Sequence, residues 1–443
     1  MAFACLLGGT ATARAQVVEP PRQDEVELQR SSVVLGSGAR ALGMGGAFLA
    51  RADDATAASW NPAGLSYLRR SEVSLVGFHS ISSARGRDAA GDTTSTDRFE
   101  GSALDFISLA HPVRLGTRFG AVQLSYQRVL PFGGDRHIEI PEPRATRVFD
   151  LSLQGGFDVV ALGSGFQLWR RLRVGATLNR WFNGFEQETT RLQRFQARTV
   201  TQTEQRVEFD LSGWNVNVGV IWAPTEGLNL GVVAKTPFTA RVKLSRSRTD
   251  FFTDMPSPET TTSNEFASDD LRLEFPWAAG FGVSVRPRSA LTLSADYTRT
   301  AWSDARIREY FLLERTPLGE AAPTPAVSNT IFAQLPYPTL DVENRQADTD
   351  QIRVGVEWVL IGARFKVPLR AGYFTDRQLF RDRTFAAPLF TGFTVGTGLL
   401  TGPFLLDVAY VLERGDYEDI DSQSHVSARS SRFWVSLIYR RGN

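Results

Sequence analysis

From Glu72 onward, apolar residues recur at every second position of this chain. Leu172, Val174, Ala176 and Leu178 alternate with Arg173, Gly175, Thr177 and Asn179. Trp214, Val216, Val218, Val220 and Trp222 alternate with Asn215, Asn217, Gly219 and Ile221. The same holds for Leu228–Lys235, Leu291–Thr298, Ile352–Val359, Leu405–Leu412 and Phe433–Arg440. Successive side chains of a strand point to opposite faces, so each run has one apolar face and one of charge, amide and glycine. Runs of this kind predict about fourteen strands. They cover Glu72–Ser80, Phe99–Ala110, Arg118–Leu130, Arg147–Leu168, Arg173–Phe182, Val207–Trp222, Leu228–Lys243, Leu271–Val285, Leu291–Ala301, Gln351–Leu360, Val367–Thr375, Leu389–Leu399, Phe404–Leu412 and Arg432–Tyr439.

A soluble antiparallel sheet with one wet face alternates in the same way. Three features point elsewhere. The runs reach about ten residues, the length of a tilted membrane strand, whereas ordinary strands average roughly 5–6. Short connections (Pro112–Thr117, Trp169–Leu172, Ala223–Gly227, Arg286–Ala290, Ile361–Phe365, Thr401–Gly402) alternate with long ones (Ile81–Arg98, Pro131–Arg147, Glu186–Arg206, Ser245–Asp270, Asp304–Asp350, Asp376–Pro388, Glu413–Ser431). Trp222, Tyr297, Trp358 and Tyr439 lie near strand ends, where interfacial aromatics belong. The expected fold is all-β: a transmembrane antiparallel β-barrel of about 14 strands with short periplasmic turns and long outer loops. It would lie in the outer membrane of a Gram-negative-type bacterium.

One stretch breaks the pattern. Gly36–Leu65 is crowded with glycine and small residues and shows no period of two. Gly43, Gly45 and Gly46 permit tight turns and close backbone contact. Asp53 and Asp54 precede the Ala-rich run that ends at Trp60, an N-cap arrangement. Pro62 turns Asn61 away from helix. We read residues 36–70 as an N-terminal hatch with a short helix inside the barrel of residues 71–443. Residues 16–35 read as a polar, flexible leader. Residues 1–15 read as a signal peptide ending Ala13-Arg14-Ala15, with a truncated positive region.

Composition narrows the chemistry. The 49 Lys+Arg and 48 Asp+Glu balance, which argues against a nucleic-acid partner. No apolar run is long enough for a membrane helix. Cys5 is the only cysteine. His79, His111, His137 and His425 have no metal-ligand spacing. Phosphate-loop, dinucleotide and nucleophile-elbow motifs are absent. The chain therefore reads as a non-enzyme without metal or cofactor.

The segment GARALGMGGAFLARADDATAASWNPAGL resembles the N-terminal hatch of FadL-like outer-membrane proteins, the FadL/TodX superfamily. It is also similar to the opening of PorV- and PorQ-like barrels. Asn61-Pro62-Ala63 matches the family's Asn-Pro-Ala element. The strand phrases NVNVGVIWAPTEGLNLGVVAKTPF, LTLSADYTRTAWSDARI and FLLDVAYVLERG extend the likeness. The resemblance implies a fourteen-stranded, hatch-plugged barrel set in the lipid bilayer. It also implies passive transport of a hydrophobic small molecule, such as a long-chain fatty acid or hydrocarbon, with lateral exit through the wall. The PorV-like alternative is a secretion adaptor or structural barrel with a secreted-protein partner. Under the first reading, Phe251, Phe252 and Met255 are ligand-capture candidates on an outer loop. Gly43, Gly45, Gly46, Asp53, Asp54, Trp60, Asn61 and Pro62 are hatch or gate candidates. The wall charges Arg173, Lys235, Asp296, Arg353, Glu357 and Asp407 are expected to face the lumen. Arg51, Asp53 and Asp54 are their expected partners. Gly120 and Gly155-Gly156 are candidate positions for a side opening.

Overall fold

A computed structural model describes residues 36–87, 91, 93–142, 145–195, 199–254, 260–304, 307–308, 348–378, 382–384, 386–418 and 424–441. The proposed signal and leader, Cys5 and Met255 lie outside the described residues.

The strands close into a fourteen-stranded antiparallel barrel. They are β1 (Glu72–Arg87), β2 (Thr93–Leu115), β3 (Arg118–Glu142), β4 (Ala145–Trp169) and β5 (Leu172–Phe182 continuing as Gly184–Phe195). Then come β6 (Thr199–Thr225), β7 (Leu228–Lys235 continuing as Phe238–Asp254), β8 (Thr260–Phe275 continuing as Ala278–Arg288) and β9 (Leu291–Thr300, with Ile307–Arg308). The last are β10 (Thr349–Ile361), β11 (Lys366–Arg377), β12 (Leu389–Thr401), β13 (Phe404–Glu418) and β14 (His425–Arg440). Each strand pairs with the next, and β14 closes on β1 with Glu72 opposite Arg440. The alternation read from the sequence sets the two faces. Leu293, Trp358, Val395, Tyr410 and Leu437 are exposed on the outside, whereas Asp296, Arg353, Glu357 and Asp407 are buried inside.

Every strand inferred from the sequence is present, but several run much further. β3 and β4 have 25 residues each and β6 has 27. About 9–11 residues cross a bilayer, so these strands stand well beyond it. Most of the segments 81–98, 131–147, 186–206 and 245–270, expected as loops, are paired strand. Outside the membrane both faces of a strand meet water, so the apolar period vanishes while backbone pairing persists. Polar Thr/Gln/Arg/Glu runs such as Thr199–Arg206 therefore look like loop.

The hatch fills the barrel near its short turns. It holds two one-turn helices, α1 (Ala39–Leu42) and α2 (Ala57–Trp60), and a 3-10 turn (Pro62–Tyr67). Neither aspartate is the N-cap: that position is Thr56, and Asp54 Oδ1, two residues earlier, accepts its N–H (2.9 Å) and hydroxyl (2.7 Å). Pro62 starts the 3-10 turn as well as ending α2, because its fixed φ and missing N–H suit a first helical position. Phe48 and Trp60 pack edge to face, centroids 6.0 Å apart. They lie in a core shared with wall residues Val76, Phe106, Phe374 and Trp434.

Glycines on the wall decide how closely the hatch fits. A methyl group on Gly165, Gly175, Gly219, Gly231, Gly282, Gly355 or Gly372 would fall within 3.0 Å of hatch atoms in Leu49, Asn61, Pro62, Met44 or Gly45. Gly165, Gly175 and Gly219 are cross-strand neighbours, as are Gly231 with Gly282 and Gly355 with Gly372. They form a girdle of bare backbone on which the hatch sits. Gly45 and Gly46 supply the turn that reaches it, at φ 68° and 77°.

Candidate functional site

Above the hatch lies a lumenal cavity of about 120 Å³. Its floor is Leu49, Ala58 and Trp60, and its walls include Trp181, Val233, Phe238, Phe275 and Trp302. Trp181 stacks on Phe238 at 5.2 Å, and Phe238 on Phe275 at 4.6 Å with the planes 4° apart. A second aromatic group, Phe132, Phe157, Phe185 and Phe209, continues toward the outer mouth in the same apolar cluster. The polar groups on the cavity wall are largely paired. Asn215 Oδ1 accepts from Asn179 Nδ2 (3.0 Å) and Trp181 Nε1 (2.8 Å). Arg353 donates to Thr298 Oγ1 (3.3 Å) and to Gln351.

The wall beside this cavity is discontinuous. β7 and β8 pair from Lys235–Ala278 toward the short turns and from Phe238–Phe275 outward. Between those pairs stand Thr236-Pro237 and Pro276-Trp277. Proline has no N–H to give to a ladder. The outer pairings survive: Thr236 N donates to Val216 O (2.9 Å), and Ala301 N to Trp277 O (3.1 Å). The pleat also changes phase here. Val233 is buried before the break, and Ala240 and Val242 after it. Thr236 and Pro276 line the cavity, so the cavity reaches this seam. Gly120 and Gly155-Gly156 lie elsewhere. Gly155 (φ 119°) lies against Gly184 where β5 changes course, and Gly120 lies under the Phe166 ring.

Below the cavity the hatch is fastened by charge. Glu357 accepts from Arg51 (2.8 Å), Arg370 (2.8 Å) and Arg40 (3.3 Å), and Arg370 also pairs with Asp407 (2.7 Å). Arg40 holds Asp53 (2.6 Å) and Asp54 (3.2 Å). Arg51 meets a wall carboxylate as expected, but Asp53 and Asp54 do not meet wall arginines. The hatch aspartates bond to a hatch arginine, and hatch arginines reach a wall carboxylate, because Arg40 and Arg51 have the length to span the gap. Burial alone would raise the Asp53 pKa, but Arg40 and Arg51 outweigh it and hold the carboxyl below its usual range. Asp296 accepts the backbone N–H of Phe48 (2.6 Å) and Leu49 (2.8 Å). Asn61 Nδ2 donates to Leu49 O (2.9 Å) and wall carbonyls of Val220 and Val232 (3.2 and 3.4 Å), while its Oδ1 accepts from Ala63 N (3.1 Å). Arg173 lies over the Tyr67 ring at 4.0 Å.

Phe251 and Phe252 are not on a loop but at the outer end of β7. Phe252 is exposed and opposite Thr261 and Thr201, well away from the cavity. Sequence reasoning did not select Trp181, Phe238, Phe275 or Trp302. A signal existed: on β6 the inward series Asn217, Asn215 becomes Leu211, Phe209, Val207, so the lumenal face turns apolar. Among the described residues no three His, Cys, Asp or Glu gather to hold a metal.

The profile of the BamG family matches residues 38–316. The chain belongs to the BamG family. No curated protein matches it. This BamG-family barrel is similar in fold to a Pseudomonas aeruginosa FadL homologue (TM-score 0.58, 14% identity, 91% of this chain and 98% of that one). It is similar also to the P. putida toluene transporter TodX (0.57, 14%, 93% and 100%) and to the CymD monoaromatic hydrocarbon channel (0.54, 16%, 93% and 99%). A closed barrel with an apolar outer face belongs in the Gram-negative outer membrane.

Proposed function

We propose that this barrel is a passive channel for small apolar molecules of about single-ring size, which enter from outside and leave sideways at the β7–β8 seam. The observation that carries the reading is the aromatic cavity, which rests on a clamped hatch and reaches the stretch where the β7–β8 ladder is interrupted. Its volume of about 120 Å³ is close to the ~150 Å³ of an apolar cavity that takes up benzene. A long acyl chain would need more room. The hatch is seated on bare backbone and tied by ion pairs, so the seam is the easier route. The structural neighbours include a toluene transporter and a monoaromatic hydrocarbon channel, which agrees with this ligand class. No catalytic step or cofactor is part of it.

The test uses cysteines at Thr236 and Trp277, beside the Lys235–Ala278 pair. In T236C/W277C, oxidation is expected to abolish toluene uptake by intact cells and reduction to restore it. Equal uptake in both states, with the disulfide verified, removes the lateral route.

A second reading is favoured by the tall sheet of β3–β8 beyond the membrane, which exposes Phe266 and Phe252. It is a platform for a secreted protein partner. Here F252S/F266S would release a co-purifying protein and leave toluene uptake unchanged.

A further inference from the structure

A separate apolar feature lies on the lipid-facing wall near the short turns. A groove crosses β4–β8 between Trp169, Val220, Trp222, Val232 and Phe281, with Arg171 at its edge. Register aligns its floor, since Leu172 pairs with Trp222, Trp222 with Leu230, and Val232 with Phe281. Trp169 is 62% exposed, and Trp222 and Phe281 about half. Arg171 Nη1 donates to Pro224 O (2.6 Å), its one side-chain hydrogen bond among the described residues. This fixes the guanidinium where the apolar wall meets water. Exposed Arg170 stands beside it.

Charge at this end of the barrel is one-sided. The short turns carry exposed Arg118, Arg170, Arg171, Arg288, Arg364 and Lys366, and Glu226 is their one acid. The whole chain has a net charge of only +1, so positive charge is concentrated here. The groove faces hydrocarbon, where a water-soluble partner does not reach, and its cations sit at headgroup level. Arginine's planar fork suits a phosphate.

We propose that this groove binds one anionic phospholipid of the periplasmic leaflet. Its acyl chain lies against Trp222, Val232 and Phe281, and its phosphate is held by Arg170 and Arg171. The site is independent of the lumenal cavity and of the transport reading. The test is native mass spectrometry of the full barrel, taken from nanodiscs of phosphatidylglycerol or phosphatidylcholine. One phosphatidylglycerol should be retained, and phosphatidylcholine should not. R170S/R171S should lower retention on the order of tenfold or more, and R364S/K366S should not lower it. Folding is verified by heat-modifiable gel migration; if the serine variant fails to fold, R170Q/R171Q replaces it. Equal retention of both lipids, undiminished retention in R170S/R171S, or equal loss in R364S/K366S overturns the proposal.

Discussion

Asn61 shows how much one residue can hold. It is fully buried and closes the 3-10 turn with its oxygen, while its amide joins the hatch to β6 and β7. Asn61→Ala leaves several buried groups without partners and should cost about 1–3 kcal/mol, read as a lower temperature for loss of heat-modifiable migration. Glu357 sits among Arg40, Arg51 and Arg370. Glu357→Gln leaves buried cations uncompensated and should cost about 3–5 kcal/mol, more than Asn61→Ala by the same measurement. The Asp53 carboxyl is held below its ordinary pKa. Its contribution is therefore present above about pH 4 and lost as pH falls through the folded value. Stability should be insensitive to this group from about pH 5 to 8, and Asp53→Asn should flatten part of the decline seen in acid.

At the scale of elements, the strands were legible and their lengths were not. Alternation identifies a strand only where one face meets lipid and the other the lumen, which is why Leu291–Thr300 was clear and Thr199–Arg206 was not. The hatch was legible as a unit through Gly43, Gly45, Gly46 and Asn61-Pro62. Its partners were legible only in part: Arg51 was expected to meet wall charge, but the contact of Arg40 with Glu357 joins residues far apart in the chain and left no local signal. The cavity was hidden for the same reason: Trp181, Phe275 and Trp302 meet only once the barrel closes. The seam did leave a trace, since Pro237 and Pro276 each interrupt an otherwise alternating run. P237V/P276V returns two backbone donors to the facing edges. We expect a folded barrel with several-fold slower toluene uptake, measured in liposomes.

For the whole molecule, the glycine girdle links hatch and barrel into one folding problem. Gly372→Val would push a branched side chain into Gly45 and the Met44 carbonyl. Overpacking of this kind costs about 1–3 kcal/mol or more, and little folded, heat-modifiable barrel should be recovered. Deleting Gly36–Leu65 should be no gentler, because Asp296 would lose the N–H groups of Phe48 and Leu49, and Glu357 the guanidinium groups of Arg40 and Arg51. The girdle also bears on the order of events. A ring of strands narrowed to fit a plug leaves no aperture through which that plug could be threaded later. The hatch precedes every strand in the chain, so it can serve as the mandrel around which β1 to β14 are wound before β14 meets β1.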